Sequence, residues 1–287
     1  MLGQYLIAFR ETFEAALITA TIFLYLSRKG KQSLKRYMAY GIVLAIVASL
    51  SLAVSIWFSY GALSATSQLL FEALAALIAV AVLSSVIYWM TIKATGIRRE
   101  IENRVNAIIT KENVIGFVSL GFVVVFREGL ETVLFLTPFL VDDAVATLIG
   151  GFLGVFIAIM LAYGIFVFGM KINLQKFFYL TSLMLILLAG GLAGYGVHEL
   201  LEYYEKSGVN TGWLGETAFN LNIPSDSPFH HKGLIGSIFA VIFGYTTSAE
   251  WARIIVHFSY LAVMLPIIFW IYEKHLTSQK SNTKEEE

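Results

Sequence analysis

The string FRETFEAAL occupies positions 9 to 17 and FREGLETVL positions 126 to 134. The two agree at Phe9/Phe126, Arg10/Arg127, Glu11/Glu128, Glu14/Glu131 and Leu17/Leu134, an offset of 126 − 9 = 117 residues. Each places one Arg and two Glu inside a stretch otherwise apolar enough to cross a membrane. Intramembrane charges cost several kcal/mol and persist mainly where they serve a pathway or a site. The doubled R-E-x-x-E therefore constrains both the fold and its purpose.

The surrounding sequence demands lipid. The chain is 57% hydrophobic and 14% charged over 287 residues, with a mean hydropathy of +0.74. Several runs exceed the ~18 apolar residues that span a bilayer, and alternating strands of the outer-membrane type do not occur. The fold class expected is all-α, a polytopic membrane protein. Seven spans are expected: Leu2–Leu26, Tyr37–Tyr60, Gln68–Lys93, Val114–Leu140, Ala144–Met170, Phe177–Tyr203 and Ala249–Tyr272. No basic stretch precedes the first span and no small-residue cleavage signal follows it, so it reads as a retained helix. There is no cysteine, which excludes disulfides and thiolate metal sites.

Loop charges orient the spans. Arg28, Lys29, Lys31, Lys35 and Arg36 follow span one; Arg98, Arg99, Arg104 and Lys111 follow span three; Lys171 and Lys176 follow span five. Basic loops stay cytoplasmic, which places the N-terminus outside and the C-terminus inside. Spans one and four then run in opposite senses. Three spans followed by three of opposite sense describe an inverted-topology repeat, with a site near the midplane where the repeats meet. The expected organisation is residues 1–93 as repeat one, 94–113 as a cytoplasmic loop and 114–203 as repeat two. Residues 204–248 form an external loop, 249–272 the extra span and 273–287 a cytoplasmic tail. The apolar run 233–244 is too short to cross and is expected at the interface or re-entrant. Gly150/Gly154 and Gly190/Gly194 have the GxxxG spacing of close helix packing.

Residues three apart share a helix face, so Glu11 and Glu14 point together, as do Glu128 and Glu131. Arg10 and Arg127 each stand four before a glutamate of their own helix. Together the motifs offer four carboxylates and two guanidinium groups, formally −4 + 2 = −2 when all are ionised. Something cationic must complete such a site in lipid, or some carboxylates must hold protons. Oxygen donors suit hard cations such as Ca²⁺, Mg²⁺, Mn²⁺ and iron, above all Fe³⁺. The metal ligands expected are Glu11, Glu14, Glu128 and Glu131, with Arg10 and Arg127 positioning them. The competing reading, ion pairs that only set helix register, is harder to hold for two copies than for one.

The paired motif resembles the oxidase-dependent iron permease family, which comprises fungal high-affinity iron permeases and bacterial Efe-type permeases. The resemblance runs over nearly the whole chain. Glu72 resembles a family glutamate and His198-Glu199 a family His-Glu pair, while Gly244-Tyr245 and Tyr260-Leu261 resemble its closing pattern. Thr12-Phe13 departs from the more usual Gly-Leu or Gly-Phe and leaves the candidate ligands intact. The resemblance implies iron uptake across the plasma membrane, the cell inner membrane, by a multi-pass protein that needs its R-E-x-x-E glutamates. Iron is then the transported substrate, Fe³⁺ ahead of Fe²⁺, and no cofactor is held permanently. It also implies an oxidase or extracytoplasmic iron-delivering partner. Mn²⁺ or Pb²⁺ on the same ligands is the alternative cargo.

Glu72, His198 and Glu199 form a candidate outer station for metal. His198 and Glu202 lie four apart on one helical face, and Glu202 reads more simply as an interfacial residue. Asp226, His230 and His231 in the external loop suit solvent better than a metal. Glu250 and Arg253 are expected to pair with each other, and His257 to be a satisfied bundle histidine. Without a G-x-x-x-x-G-K-[ST] string the chain is not expected to hydrolyse ATP, and no nucleic-acid partner is expected. An intramembrane metalloenzyme fits poorly, since HELLE at 198–202 lacks the second His of H-E-x-x-H. A retinal protein would need a lysine in span seven, which has none. The topology makes a prediction: a tag at the N-terminus is reached by an impermeant probe from outside, and one at Glu287 only from inside. Both tags on one side would break the inverted-repeat argument.

Overall fold

A computed structural model describes residues 1–93, 114–168, 174–224, 226–231 and 233–285. Arg98, Arg99, Arg104, Lys111, Lys171 and the expected loop 94–113 lie outside the described residues. The described chain is helical in α1 (Leu2–Arg28), α2 (Leu34–Gly61), α3 (Ala65–Lys93), α4 (Val114–Asp142) and α5 (Ala144–Phe168). It continues with α6 (Leu174–Lys206), a short strand β1 (Thr217–Asn220), α7 (Leu234–Phe243), β2 (Ser248–Glu250) and α8 (Trp251–Glu285). Helices satisfy their own backbone polar groups, which the hydrocarbon layer requires. Five stretches are long and apolar enough to cross a membrane: Leu34–Gly61, Ala65–Trp89, Ala144–Val167, Tyr179–Lys206 and Trp251–Glu273. Helices α1 and α4, of 27 and 29 residues, are long enough too, but each carries the Arg and two Glu of its motif.

The chain divides into two compact units. The first contains α1, α2, α4 and α5; the second contains α3, α6, α7, α8 and the strands. In the first unit α2 lies along α4, α5 along α1, and α1 also meets α4. Both long contacts are parallel. Gly121 faces Met38 and Gly129 faces Ser49; Gly150 faces Met1 and Tyr5, and Gly154 faces Tyr5 and Phe9. The missing side chains let the backbones touch. A Cβ added at Gly41 would strike the Val118 carbonyl oxygen and the Phe122 nitrogen. One added at Gly150 would meet the Met1 carbonyl oxygen at 2.7 Å and the Tyr5 nitrogen at 3.4 Å. Val118 and Phe122 stand 117 residues after Met1 and Tyr5, the offset of the repeated strings. The rings follow the same rule: Tyr5 stacks on Phe9 at 5.7 Å, and Phe122 on Phe126 at 5.0 Å.

In the second unit α3 packs on α6, with Ala76 and Leu77 against Gly196, and α8 runs antiparallel to α6. Gly190 meets His257 and Leu261, Gly194 meets Arg253, and Tyr179 stacks on Tyr272 at 3.8 Å. Ser84 and Tyr260 share a hydrogen bond of 2.8 Å between α3 and α8. The run 233–244 forms the ten-residue α7, ended by Gly244 in the left-handed conformation, φ +63°. The expected start of the last span at Ala249 is too early. Residues 248–250 pair with β1, and the helix begins at Trp251, whose N–H donates to the Glu216 carbonyl. Phe58, Leu148 and Phe152 are exposed, as lipid-facing side chains are. We predict that Gly41→Ala and Gly150→Ala each cost ~1–3 kcal/mol, the usual range for overpacking. Gly61→Ala, with nothing within 4 Å, serves as the neutral control. Thermal unfolding in detergent measures this, and equal stability in all three would deny the backbone contact.

Candidate metal centre

The two motif helices cross in the first unit and enclose their charges. Arg10 is 1% exposed, Glu11 0%, Glu14 7%, Glu128 4% and Glu131 7%. A buried ion is tolerated only when paired and hydrogen-bonded. Arg10 meets this by reaching in two directions. Its Nη1 donates to Glu11 Oε1, and its Nη2 lies 3.0 Å from Glu14 Oε1. On α4, Arg127 Nε donates to Glu131 Oε1 at 3.0 Å and stands 3.9 Å from Glu128 Oε1. Both pairs expected four residues apart are thus formed. The neighbouring Arg10–Glu11 contact was not expected, because residues i and i+1 point apart on an ideal helix.

The two halves are not equivalent. The Arg10 side chain is sealed at 1% exposure, whereas that of Arg127 is 46% exposed. The carboxylates divide as well. Glu11, Glu128 and Glu131 each offer an oxygen within 4.8 Å of the others, and Glu14 stands outside that group. Each of the four glutamates has a buried oxygen with no hydrogen-bond partner, Glu11 Oε2, Glu14 Oε1, Glu128 Oε2 and Glu131 Oε2, and that of Glu14 stands at ion-pair distance from Arg10. An unpartnered buried carboxylate oxygen is costly unless a cation completes it. Oxygens around a hard cation stand ~2.0–2.6 Å from it, so a small contraction of this triad would coordinate one ion. Its chemistry is all-oxygen.

A second group lies in the other unit. His198, Glu199 and Glu202 place ligand atoms within 4.8 Å of one another. Glu199 is buried, while Glu202 is paired with Lys206 at 2.8 Å. Glu72 reaches the same helix by another route, accepting a hydrogen bond of 2.6 Å from the Tyr195 hydroxyl. Glu250, expected to pair with Arg253, takes His198 as its partner, Oε1 to Nδ1 at 3.0 Å. Sequence reasoning missed Tyr195 altogether and misassigned Glu250, whose partner lies 52 residues away. Among the described residues, Asp226, His230 and His231 belong to neither metal-competent group. His231 bonds to Thr247 Oγ1 at 2.9 Å, and His257 is buried beneath Gly190 and Gly244.

Long apolar helices around an enclosed acidic centre define a multi-pass helical membrane protein. Within that class the chain belongs to the iron permease FTR1 family, whose profile matches residues 1–269. It is 43% identical over 272 residues to an uncharacterized protein of Archaeoglobus fulgidus, covering 95% of this chain and 96% of that one. It is 31% identical over 274 residues to the ferrous iron permease EfeU of Yersinia pestis, covering 94% and 93%. It is also 31% identical over 266 residues to a putative inactive ferrous iron permease EfeU of Escherichia coli K12, covering 91% and 92%. No solved structure matches. Membership supports iron transport and membership among permeases rather than enzymes.

The geometry separates the two arginines. Removing one partner of a buried pair costs ~3–5 kcal/mol, so Arg10→Met should unfold far more readily in detergent than the parent. Arg127→Met withdraws a half-exposed cation from the buried Glu131 and should cost about 1–3 kcal/mol, less than Arg10→Met. Equal losses would contradict the asymmetry of burial.

Proposed function

We propose that the chain carries iron ions into the cell across the plasma membrane, through a midplane site made by its two R-E-x-x-E motifs. The observation that carries this is the triad of Glu11, Glu128 and Glu131, whose unpartnered buried oxygens come from both motif helices. Glu14 completes the acidic set and holds Arg10. Seven spans with the N-terminus outside, in a 3+3 repeat plus one, suit the matched contacts at Gly41 and Gly150 and the matched ring stacks. The pairs α1–α5, α2–α4 and α3–α6 also map onto one another when the first three spans are exchanged for the next three. Glu72, His198 and Glu199 form an outer station that receives iron from an oxidase or an extracytoplasmic delivery protein.

All-oxygen donors favour Fe³⁺, the harder ion. Three charges moving down the membrane potential gain ~7 kcal/mol per 100 mV, at ~2.3 kcal/mol per charge. A second reading, Fe²⁺, draws on the names of the EfeU relatives, which are ferrous iron permeases.

Radioactive iron uptake into proteoliposomes with an inside-negative potential tests both. Fe³⁺, Fe²⁺, Mn²⁺ and Pb²⁺ are compared, with Glu131→Ala and Glu14→Ala as variants. Uptake of one iron species, at least ~100-fold lower in both variants in keeping with loss of a buried charge partner, is the expected result. Full uptake in both variants would remove the motif from the path.

A further inference from the structure

Arg127 sits 13 residues from the start of α4 and 15 from its end. At 1.5 Å per residue that is about 20 Å from either terminus, farther than an arginine can snorkel. Yet its side chain is 46% exposed. A guanidinium at that depth is not left against lipid tails; it faces water or a protein partner. Its inner edge, Nε, lies on Oε1 of Glu131, a triad member whose Oε2 is unpartnered. Arg127 therefore stands with one side toward the carboxylate triad while nearly half of its side chain is exposed. Arg10, its counterpart 117 residues earlier, is sealed and braced by two carboxylates.

We propose that Arg127 is the gate of the metal centre: it serves as countercharge to Glu131 in the unloaded site, and the arriving ion displaces it along a water-filled flank. Arg10 keeps its place throughout and holds Glu14 away from the ion. The displacement changes the charge that the ion meets. With both arginines in place the motifs sum to −4 + 2 = −2; with Arg127 withdrawn they sum to −4 + 1 = −3. The open gate thus matches a trivalent ion, and the return of Arg127 favours release. This rests on the reading of the motifs as the ion's path.

The chain has no cysteine, so single-cysteine variants of the full-length protein report directly. In membrane vesicles, Arg127→Cys should react with a charged methanethiosulfonate. Phe152→Cys, exposed but lipid-facing, and Ala158→Cys, fully buried, should not. Ga³⁺, a redox-inert trivalent probe, should slow modification of Arg127→Cys severalfold. In detergent, Arg127→Gln should tighten the binding of Ga³⁺ by about 10–100-fold, because the ion no longer has to displace a countercharge held ~5 Å away at an intermediate dielectric. Arg127→Lys should restore the parent affinity. So should Arg127→Cys carrying an aminoethyl group, while a neutral methyl adduct should not. These adducts keep the test valid if Arg127→Gln fails to fold. An unreactive Arg127→Cys, or an unchanged Ga³⁺ affinity in the neutral variants, overturns the gate. Glu131→Ala separates this failure from that of the underlying reading. If it abolishes Ga³⁺ binding while the gate tests fail, the site stands without its gate; if it binds Ga³⁺ fully, both fall.

Discussion

The fold of the first unit turns on one enclosed cation. Arg10 cannot leave its glutamates without stranding a charge in a place water does not reach. Glu11 and Glu14 are thereby fixed in rotation about α1. That rotation presents Glu11 to α4, where Glu128 and Glu131 complete the group of three. The remaining features of the unit follow from holding these two polar helix faces together among apolar neighbours. A sealed arginine and a half-exposed one thus stand on the two sides of the centre.

The apolar neighbours are held by contacts of a different kind. At Gly41, Gly121, Gly150 and Gly154 backbone lies on backbone, with no side chain between. Dispersion at such short range substitutes for the hydrophobic drive that lipid does not provide. Gly41 and Gly150 meet atoms of the two motif helices that lie 117 residues apart, the same offset as the charges.

Much of this was legible in the sequence because it is local or periodic. The apolar runs announced long helices, the spacing of four announced Arg10–Glu14 and Arg127–Glu131, and GxxxG announced Gly150 and Gly154 as contact positions. The family followed from the doubled motif. What remained hidden depends on partners distant in sequence. The two strings are identical at their Arg and Glu positions, so nothing in them says that Arg10 is sealed and Arg127 open. Tyr195 reaches Glu72 across 123 residues, and a strand of three residues carries Glu250 to His198. Local spacing favoured Arg253 for Glu250; tertiary structure chose otherwise. The small β1–β2 ladder carried no signal, being too short for alternation to register.

The glycine contacts also decide where this protein can deform. Two helices whose main chains interlock cannot slide past one another without forcing a carbonyl over a Cα. The pairs α1–α5 and α2–α4 are bound in this way and behave as two stiff beams. The crossing of α1 with α4 is cushioned instead by long, polar side chains that can change partners at little steric cost. Mechanical compliance is thus concentrated at the joint between the beams, the place where the carboxylates stand.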